Sequence, residues 1–105
     1  MTNEVPIIDP LGKRIYLVSE VCSKETELSE DIYNDVTAVI KKPALIIEII
    51  KNQESELYYF RSVEWDKTLL ISVHYCNSRW EAYECKKNPE SNELSTLLKK
   101  GKLLL

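Results

Sequence analysis

Apolar and polar residues alternate most clearly in residues 68–76, where β-branched and aromatic side chains are also common. This pattern is typical of a half-buried strand, in which successive side chains point to opposite faces of a sheet. Residues 79–85 continue it, so the two segments predict a β-hairpin at the centre of the sheet. One face of the first strand would carry Leu69, Ile71, Val73 and Tyr75; the other would carry Leu70, Ser72, His74 and Cys76.

The two residues Asn77-Ser78 are predicted to form the turn of this hairpin, because Asn tolerates positive φ. A two-residue turn pairs Cys76 with Arg79, His74 with Glu81, and Val73 with Ala82. The core face would then carry Ile71, Val73, Tyr75, Trp80 and Ala82, with Glu84 at its far edge. The wet face would carry Ser72, His74, Arg79, Glu81 and Tyr83. A three-residue turn would shift every cross-strand pair by one residue and exchange the two faces of the second strand.

Residues 29–42 predict the main helix. The apolar positions that recur with a 3.6-residue period are Ile32, Val36, Val39 and Ile40. Ser29 is suited to cap the first amides, and Glu30 and Asp31 lie where the helix dipole favours negative charge. Pro43 is expected to stop the helix, since proline cannot continue it.

The remaining segments predict shorter elements. Residues 5–8 and 13–18 are expected to form an N-terminal hairpin around the turn Asp9-Pro10-Leu11-Gly12. Residues 45–50 and 56–61 indicate two further strands, and residues 19–28 indicate a loop or a short irregular helix. Near the C-terminus, Ser91 is suited to cap a short helix that ends at Gly101. The order predicts a single α+β domain over residues 1–105, with an antiparallel sheet of about four to six strands packed against one main helix.

Composition and charge narrow the class of protein. The chain has 105 residues, of which 44% are hydrophobic and 30% charged, as expected for one globular domain. No apolar run approaches the ~20 residues that span a bilayer, and no secretory signal is recognisable. Three cysteines without a repeated spacing fit a reducing compartment, so we expect a cytoplasmic protein. The net charge of −3 disfavours broad nucleic-acid binding, which depends on neutralising phosphates.

Several short motifs, taken in order, resemble a family of small uncharacterised bacterial proteins common in cyanobacteria and phages. The motifs are Ile8-Asp9-Pro10-Leu11-Gly12-Lys13-Arg14, Lys42-Pro43, Leu57-Tyr58-Tyr59-Phe60-Arg61, Leu69-Leu70-Ile71-Ser72-Val73-His74, Glu81-Ala82-Tyr83 and Lys99-Lys100-Gly101-Lys102-Leu103-Leu104. That family is related to the ribonuclease-toxin fold of barnase, EndoU, colicin and RelE. The resemblance covers most of the chain and implies a ribonuclease-like fold.

The chain departs from this family in the segment between the first hairpin and the helix. Those relatives carry a Trp and two His residues there, whereas residues 19–28 contain neither residue type. The relatives also have Thr-Ala-Tyr where this chain has Glu81-Ala82-Tyr83. The resemblance therefore implies, as the leading hypothesis, a small cytoplasmic relative that has lost the family's histidine chemistry. An alternative hypothesis is an active ribonuclease that uses His74, Glu81 and Arg79.

The active-ribonuclease hypothesis depends on His74, the single histidine of the chain. In the expected register, His74, Glu81, Arg79 and Tyr83 share the wet face. A neutral imidazole beside a carboxylate can accept a proton, and an arginine can stabilise the charge of a phosphorane-like transition state. The alternative is a solvated sheet surface in which His74 and Glu81 form an ordinary cross-strand pair.

Arg61 and Trp65 form a second candidate site, on a loop beside the sheet. An arginine can hold a phosphate and a tryptophan can stack on a base. The alternative for Trp65 is that it covers an edge of the core. Tyr58 and Tyr59 are consecutive and point to opposite faces, so we expect one of them in the core.

No metal and no cofactor are predicted. His74 and Cys76 would share a face, but Cys85 is expected opposite Leu70, far along the strand from Cys76. The chain contains no Cys-x-x-Cys motif, and zinc needs about four convergent ligands. With two glycines, it also has no Gly-rich phosphate loop.

The third hypothesis is an immunity-type or interaction protein. The acidic segment 20–31 would bind a basic partner such as a toxin, through Glu25, Glu27 and Glu30. Partners are thus expected to be RNA or a protein, with no membrane. The apolar tail Leu103-Leu104-Leu105 and open sheet edges are also compatible with a homodimer.

Overall fold

One seven-stranded mixed sheet runs through the molecule, in a computed structural model that describes residues 5–17, 30–65 and 67–105. The strands are β1 (Ile7–Ile8), β2 (Arg14–Leu17), β3 (Leu45–Lys51), β4 (Glu54–Glu64), β5 (Lys67–Cys76), β6 (Arg79–Lys87) and β7 (Lys102–Leu103); the helices are α1 (Glu30–Lys41) and α2 (Ser91–Lys100). Their order across the sheet is β1-β2-β6-β5-β4-β3-β7. The segment 19–28 and the Ser29 cap lie outside the described residues.

This architecture overturns the predicted fold class. The sheet is curled into a half-barrel with two helices, not an antiparallel sheet of four to six strands on one main helix. β2 pairs with β6 in parallel, with Ile15 beside Trp80 and Leu17 beside Ala82. β7, expected to be an apolar tail, adds an antiparallel strand to β3. Alternation reveals which face a side chain occupies, but it does not specify which distant strand lies alongside or in which direction.

The central hairpin has the expected turn. Cys76 pairs with Arg79, His74 with Glu81, and Val73 with Ala82. Asn77 and Ser78 have φ angles of 55° and 64°, the left-handed values that a two-residue primed turn requires. The two-residue turn, and with it the pairing next to the turn, is confirmed.

A bulge farther along this hairpin changes the expected faces. The register shifts after Val73, so Ser72 pairs with Glu84 and Ile71 with Cys85. The bulged strand thus has one extra residue, Tyr83. The prediction that Glu84 lies at the edge of the core face is wrong, because Glu84 shares a face with Ser72. The predicted pairing of Cys85 with Leu70 is wrong for the same reason, and Cys85 packs against the core instead.

The core lies between α1 and one face of the sheet. Val36, Val39 and Ile40 of α1 are fully buried there, as their spacing predicted. The sheet contributes Ile7, Ile15, Ile46, Leu57, Tyr59, Leu69, Ile71, Val73 and Ala82. Each fully buried aliphatic side chain stabilises the fold by about 1.5–3 kcal/mol relative to an exposed one.

The N-terminal turn is tied into this core through Asp9, which is buried. One carboxylate oxygen accepts hydrogen bonds from the N–H groups of Leu11 (3.0 Å) and Lys13 (2.7 Å). The other accepts a hydrogen bond from the Tyr59 hydroxyl at 2.5 Å. The expected turn is confirmed, and Gly12 closes it with a φ of +87°. Tyr59 is the core member of the Tyr58-Tyr59 pair.

The C-terminal helix α2 lies on the other side of the sheet from α1. It begins after Glu90 rather than at a Ser91 cap, and the Glu90 N–H donates to the Glu93 carboxylate (3.4 Å). Its end at Gly101 is confirmed: the Gly101 N–H donates to the Leu97 carbonyl at 2.8 Å. A Cβ at Gly101 would lie 2.5 Å from Cγ2 of Ile47, so glycine allows β7 to approach β3. Neither described helix is long and apolar enough to cross a membrane.

Candidate functional site

The face of the sheet opposite α1 carries a cluster of polar and aromatic side chains. We call it the polar face, and its members are Tyr16, Glu56, Tyr58, Ser72, His74, Cys76, Arg79, Glu81, Tyr83 and Glu84. They come from strands β2, β4, β5 and β6, each at the positions that alternate with the core residues. Because alternate residues of each strand face the core, the residues between them lie together on the opposite surface of the sheet.

His74 is at the centre of the polar face. Its Cα partners are Glu56 on β4 and Glu81 on β6, so the imidazole has a carboxylate residue on either side. The Tyr83 ring stacks on the imidazole, with 4.2 Å between centroids and 23° between planes. The histidine is half-buried. Stacking and strand pairing restrict its orientation while part of it stays accessible.

Glu81 is almost buried, with 7% of its surface exposed. A buried carboxylate needs a partner, and Arg79 supplies one: its Nε lies 2.8 Å from the Glu81 Oε2. The Arg79 guanidinium also lies over the Tyr16 ring, 4.6 Å from its centroid. The ion pair lies on β6, next to His74 on the adjacent strand β5.

Glu56 accepts hydrogen bonds from two tyrosines. The Tyr83 hydroxyl donates to Oε2 at 2.8 Å, and the Tyr58 hydroxyl donates to Oε1. Burial, together with the hydrogen bond to Glu56, raises the pKa of both tyrosines well above the ordinary value of 10.0. Both hydroxyls are therefore neutral donors at physiological pH, and they hold the Glu56 carboxylate in place.

A cleft of about 350 Å³ adjoins the polar face, between the sheet and α2. Its lining residues are Tyr58, Leu70, Ser72, Glu84, Lys86, Asn92, Glu93, Thr96 and Leu97. Tyr58, Ser72 and Glu84 belong to both the cleft and the polar face, so the two are continuous. The lining does not include His74, Glu81, Arg79 or Tyr83.

The structure brings together the four residues of the first predicted site. His74, Glu81, Arg79 and Tyr83 all lie on the polar face, connected by strand pairing, the ion pair and the ring stack. The bulge leaves Tyr83 on this side of the sheet, within reach of both His74 and Glu56. Whether these residues perform chemistry remains a prediction.

The structure does not bring together Arg61 and Trp65 as a phosphate and base site. Arg61 lies on the core side of β4, and its Nη1 donates to the carbonyl oxygens of Lys42 (3.2 Å) and Ala38 (3.4 Å). It therefore binds the C-terminal end of α1, where the helix leaves carbonyl groups unsatisfied. Trp65 is 99% exposed, so the alternative that it covers an edge of the core is wrong.

The predicted partner-binding residues are mostly not described. Glu25 and Glu27 lie outside the described residues. Glu30 is the first residue of α1, and its side chain also lies outside the description. Their role in binding a basic partner remains a prediction.

The polar face includes four residues that the sequence pattern did not place there: Glu56, Tyr58, Tyr16 and Glu84. Glu56 and Tyr58 follow the same alternation along β4 as His74 along β5. The signal that could have found them is the short connection between these two strands, which restricts their register. Tyr16 could not have been found this way, because its position depends on the parallel pairing of β2 and β6.

Within the part of the chain that the structure describes, a group of residues that could hold a metal ion consists of His74, Cys76 and Glu81. Their ligand atoms all lie within 4.8 Å of one another. The sequence suggested Cys22 and Cys85, not Glu81, as companions of His74 and Cys76. Cys85 packs against the core on the opposite side of the sheet and does not join them, and Cys22 lies outside the described residues.

Comparisons of the chain with known protein families, with functionally curated proteins and with solved structures find no match.

Proposed function

We propose that the polar face cleaves RNA phosphodiester bonds by general acid–base catalysis. His74 accepts the proton of a ribose 2′-hydroxyl, whose oxygen attacks the adjacent phosphorus and forms a cyclic phosphate. The same imidazole then returns the proton to the departing 5′-oxygen. Glu81 stabilises the imidazolium that exists between these two transfers, and Arg79 stabilises the charge that develops on the phosphorane oxygens.

The observation that supports this proposal most directly is the environment of His74. The imidazole is stacked on Tyr83 and paired across the hairpin with Glu81, and it stays partly accessible. Tyr83 is a positioning residue, because it acts on the orientation of the ring. A fixed orientation matters, since misplacing a catalytic group by about 1 Å can cost on the order of 10²-fold in rate.

Electrostatics predict that such an enzyme binds RNA weakly. The polar face carries three carboxylates, Glu56, Glu81 and Glu84, and the whole chain has a net charge of −3. Few phosphates are neutralised on such a surface, so RNA binding should depend only weakly on salt. We expect a high KM rather than a tight complex.

The test is cleavage of a short single-stranded RNA by the purified protein. His74→Ala is expected to reduce the rate by about 10²- to 10⁴-fold, the usual contribution of acid–base catalysis. Glu81→Gln is expected to slow cleavage as well, whereas Glu64→Gln, which removes an exposed carboxylate at the far end of β4, serves as the matched control. An RNA with a single 2′-deoxy residue should resist cleavage at that position.

Two outcomes would contradict the proposal: cleavage that is unchanged in His74→Ala, or no cleavage by the unmodified protein. The second outcome would support the leading sequence hypothesis, a cytoplasmic relative of ribonuclease-toxin proteins without their chemistry. A salt-sensitive complex with a basic protein, weakened by neutralising Glu25, Glu27 and Glu30, would support the interaction hypothesis.

A further inference from the structure

We propose that His74, Cys76 and Glu81 form a binding site for Zn²⁺ with three protein ligands and an open fourth position. This inference does not rest on the proposed RNA cleavage, because metal binding is measured without RNA; a His74 imidazole that binds Zn²⁺ would not at the same time accept a proton from RNA. It replaces the expectation, drawn from the sequence, that the chain holds no metal.

The hairpin fixes the three residues relative to one another. His74 and Cys76 are two residues apart on β5 and so point to the same face, and Glu81 is the cross-strand partner of His74. The two-residue turn at Asn77-Ser78 holds this register a few residues away. The site is therefore built on paired strands, which position ligands more rigidly than loops do.

The distances suit a zinc ion after a small adjustment. The three ligand atoms lie within 4.8 Å of one another. Bonds of about 2.0–2.3 Å in a tetrahedral arrangement place neighbouring ligands roughly 3.5 Å apart. Zinc binding therefore requires side-chain rotations that bring the ligand atoms closer together.

The donor set selects a transition metal. One imidazole nitrogen, one thiolate and one carboxylate oxygen suit Zn²⁺, whereas Mg²⁺ and Ca²⁺ prefer oxygen ligands alone. Cys76 is a free thiol, and it releases its proton to water when the sulfur binds the metal. The thiolate and carboxylate then balance the two positive charges of the ion.

The surroundings orient two of the ligands. Arg79 holds Oε2 of Glu81 at 2.8 Å, and Tyr83 stacks on His74. Outer contacts of this kind fix ligand orientation in metal sites. Three protein ligands leave one position for water or an exogenous ligand, as in zinc sites that exchange ligands.

The test is titration of the full chain with Co²⁺, a spectroscopic substitute for zinc. We expect one Co²⁺ per chain, a near-ultraviolet thiolate-to-cobalt charge-transfer band, and loss of that band when Zn²⁺ is added. Cys76→Ser should abolish the band and weaken binding by more than about tenfold, and His74→Ala should also weaken binding by more than about tenfold.

The matched controls are Cys85→Ala and Cys22→Ser, because they remove the other two thiols. Both should keep the band and the affinity of the unmodified protein, and circular dichroism checks that every variant is folded. The proposal is overturned if the unmodified protein binds no Co²⁺, if the band is absent, or if the band persists in Cys76→Ser. If Co²⁺ does not bind, the proposed RNA cleavage is unaffected, because the cleavage assay tests it separately.

Discussion

The two faces of strands β4, β5 and β6 are built from neighbouring residues, yet they differ in almost every physical property. Ile71 and Val73 are fully buried beneath α1, whereas His74 between Val73 and the turn is half-buried on the polar face. The core face is held by apolar contacts, and the polar face by hydrogen bonds, an ion pair and a ring stack. The core on one side thus supports the strands that position the polar groups on the other.

The same contrast appears within one dipeptide, Tyr58-Tyr59. The Tyr59 hydroxyl donates to the buried Asp9, which ties the N-terminal turn to the core. The Tyr58 hydroxyl donates to Glu56, which also accepts a hydrogen bond from Tyr83. Asp9 therefore has one tyrosine donor besides its two backbone donors, whereas Glu56 has two tyrosine donors.

The largest effect expected on stability comes from truncating the core face. Ile71→Ala removes a fully buried side chain and should lower the free energy of unfolding by about 3 kcal/mol, the usual cost of such a cavity. Ser72, the next residue along β5, faces the polar side and serves for comparison. Ser72→Ala should lower the free energy of unfolding by about 1 kcal/mol or less. Urea unfolding measures both. Equal losses of unfolding free energy in Ile71→Ala and Ser72→Ala would contradict the difference between the two faces.

A smaller difference is expected between the two tyrosines. Tyr59→Phe leaves one oxygen of the buried Asp9 without its hydroxyl donor and should lower the free energy of unfolding by about 1–3 kcal/mol. Tyr58→Phe should cost less, because Tyr83 still donates to Glu56. Urea unfolding of the two variants makes the comparison, and a greater loss in Tyr58→Phe would contradict it.

The smallest effect expected is a dependence of stability on alkaline pH. Burial and the hydrogen bond to Asp9 raise the pKa of Tyr59 above its ordinary value of 10.0. The unfolded chain therefore loses this proton at lower pH than the folded chain does. The stability contributed by the neutral hydroxyl is complete below pH 10 and is lost as the pH rises above it. Unfolding free energies measured from pH 8 to pH 11 should fall less steeply in Tyr59→Phe, and identical slopes would contradict this.

Local patterns in the sequence were enough to predict much of the site. The period of Val36, Val39 and Ile40 predicted the core side of α1, and the Asn77-Ser78 turn predicted the pairing of His74 with Glu81. Both features depend on residues that are close together in the sequence, so they can be predicted from the local pattern of residue types.

Features that depend on distant segments could not be predicted in the same way. The parallel pairing of β2 with β6 joins residues about 65 positions apart, as Ile15 and Trp80 show. The bulge that turns Glu84 to the polar side follows from the path of a curled sheet, and no glycine marks it in the sequence. The role of Arg61 depends on the position of the C-terminal end of α1 beside β4, which is a contact between distant segments.

The central claim is that the polar face carries out chemistry while the core face provides stability. The most direct test measures RNA cleavage and urea unfolding together for the unmodified protein and His74→Ala. We predict that the variant loses about 10²- to 10⁴-fold in cleavage rate. Its free energy of unfolding should change by less than about 1 kcal/mol, as for other cross-strand pairs. Cleavage by both proteins at the same rate, or cleavage by neither, would contradict the account.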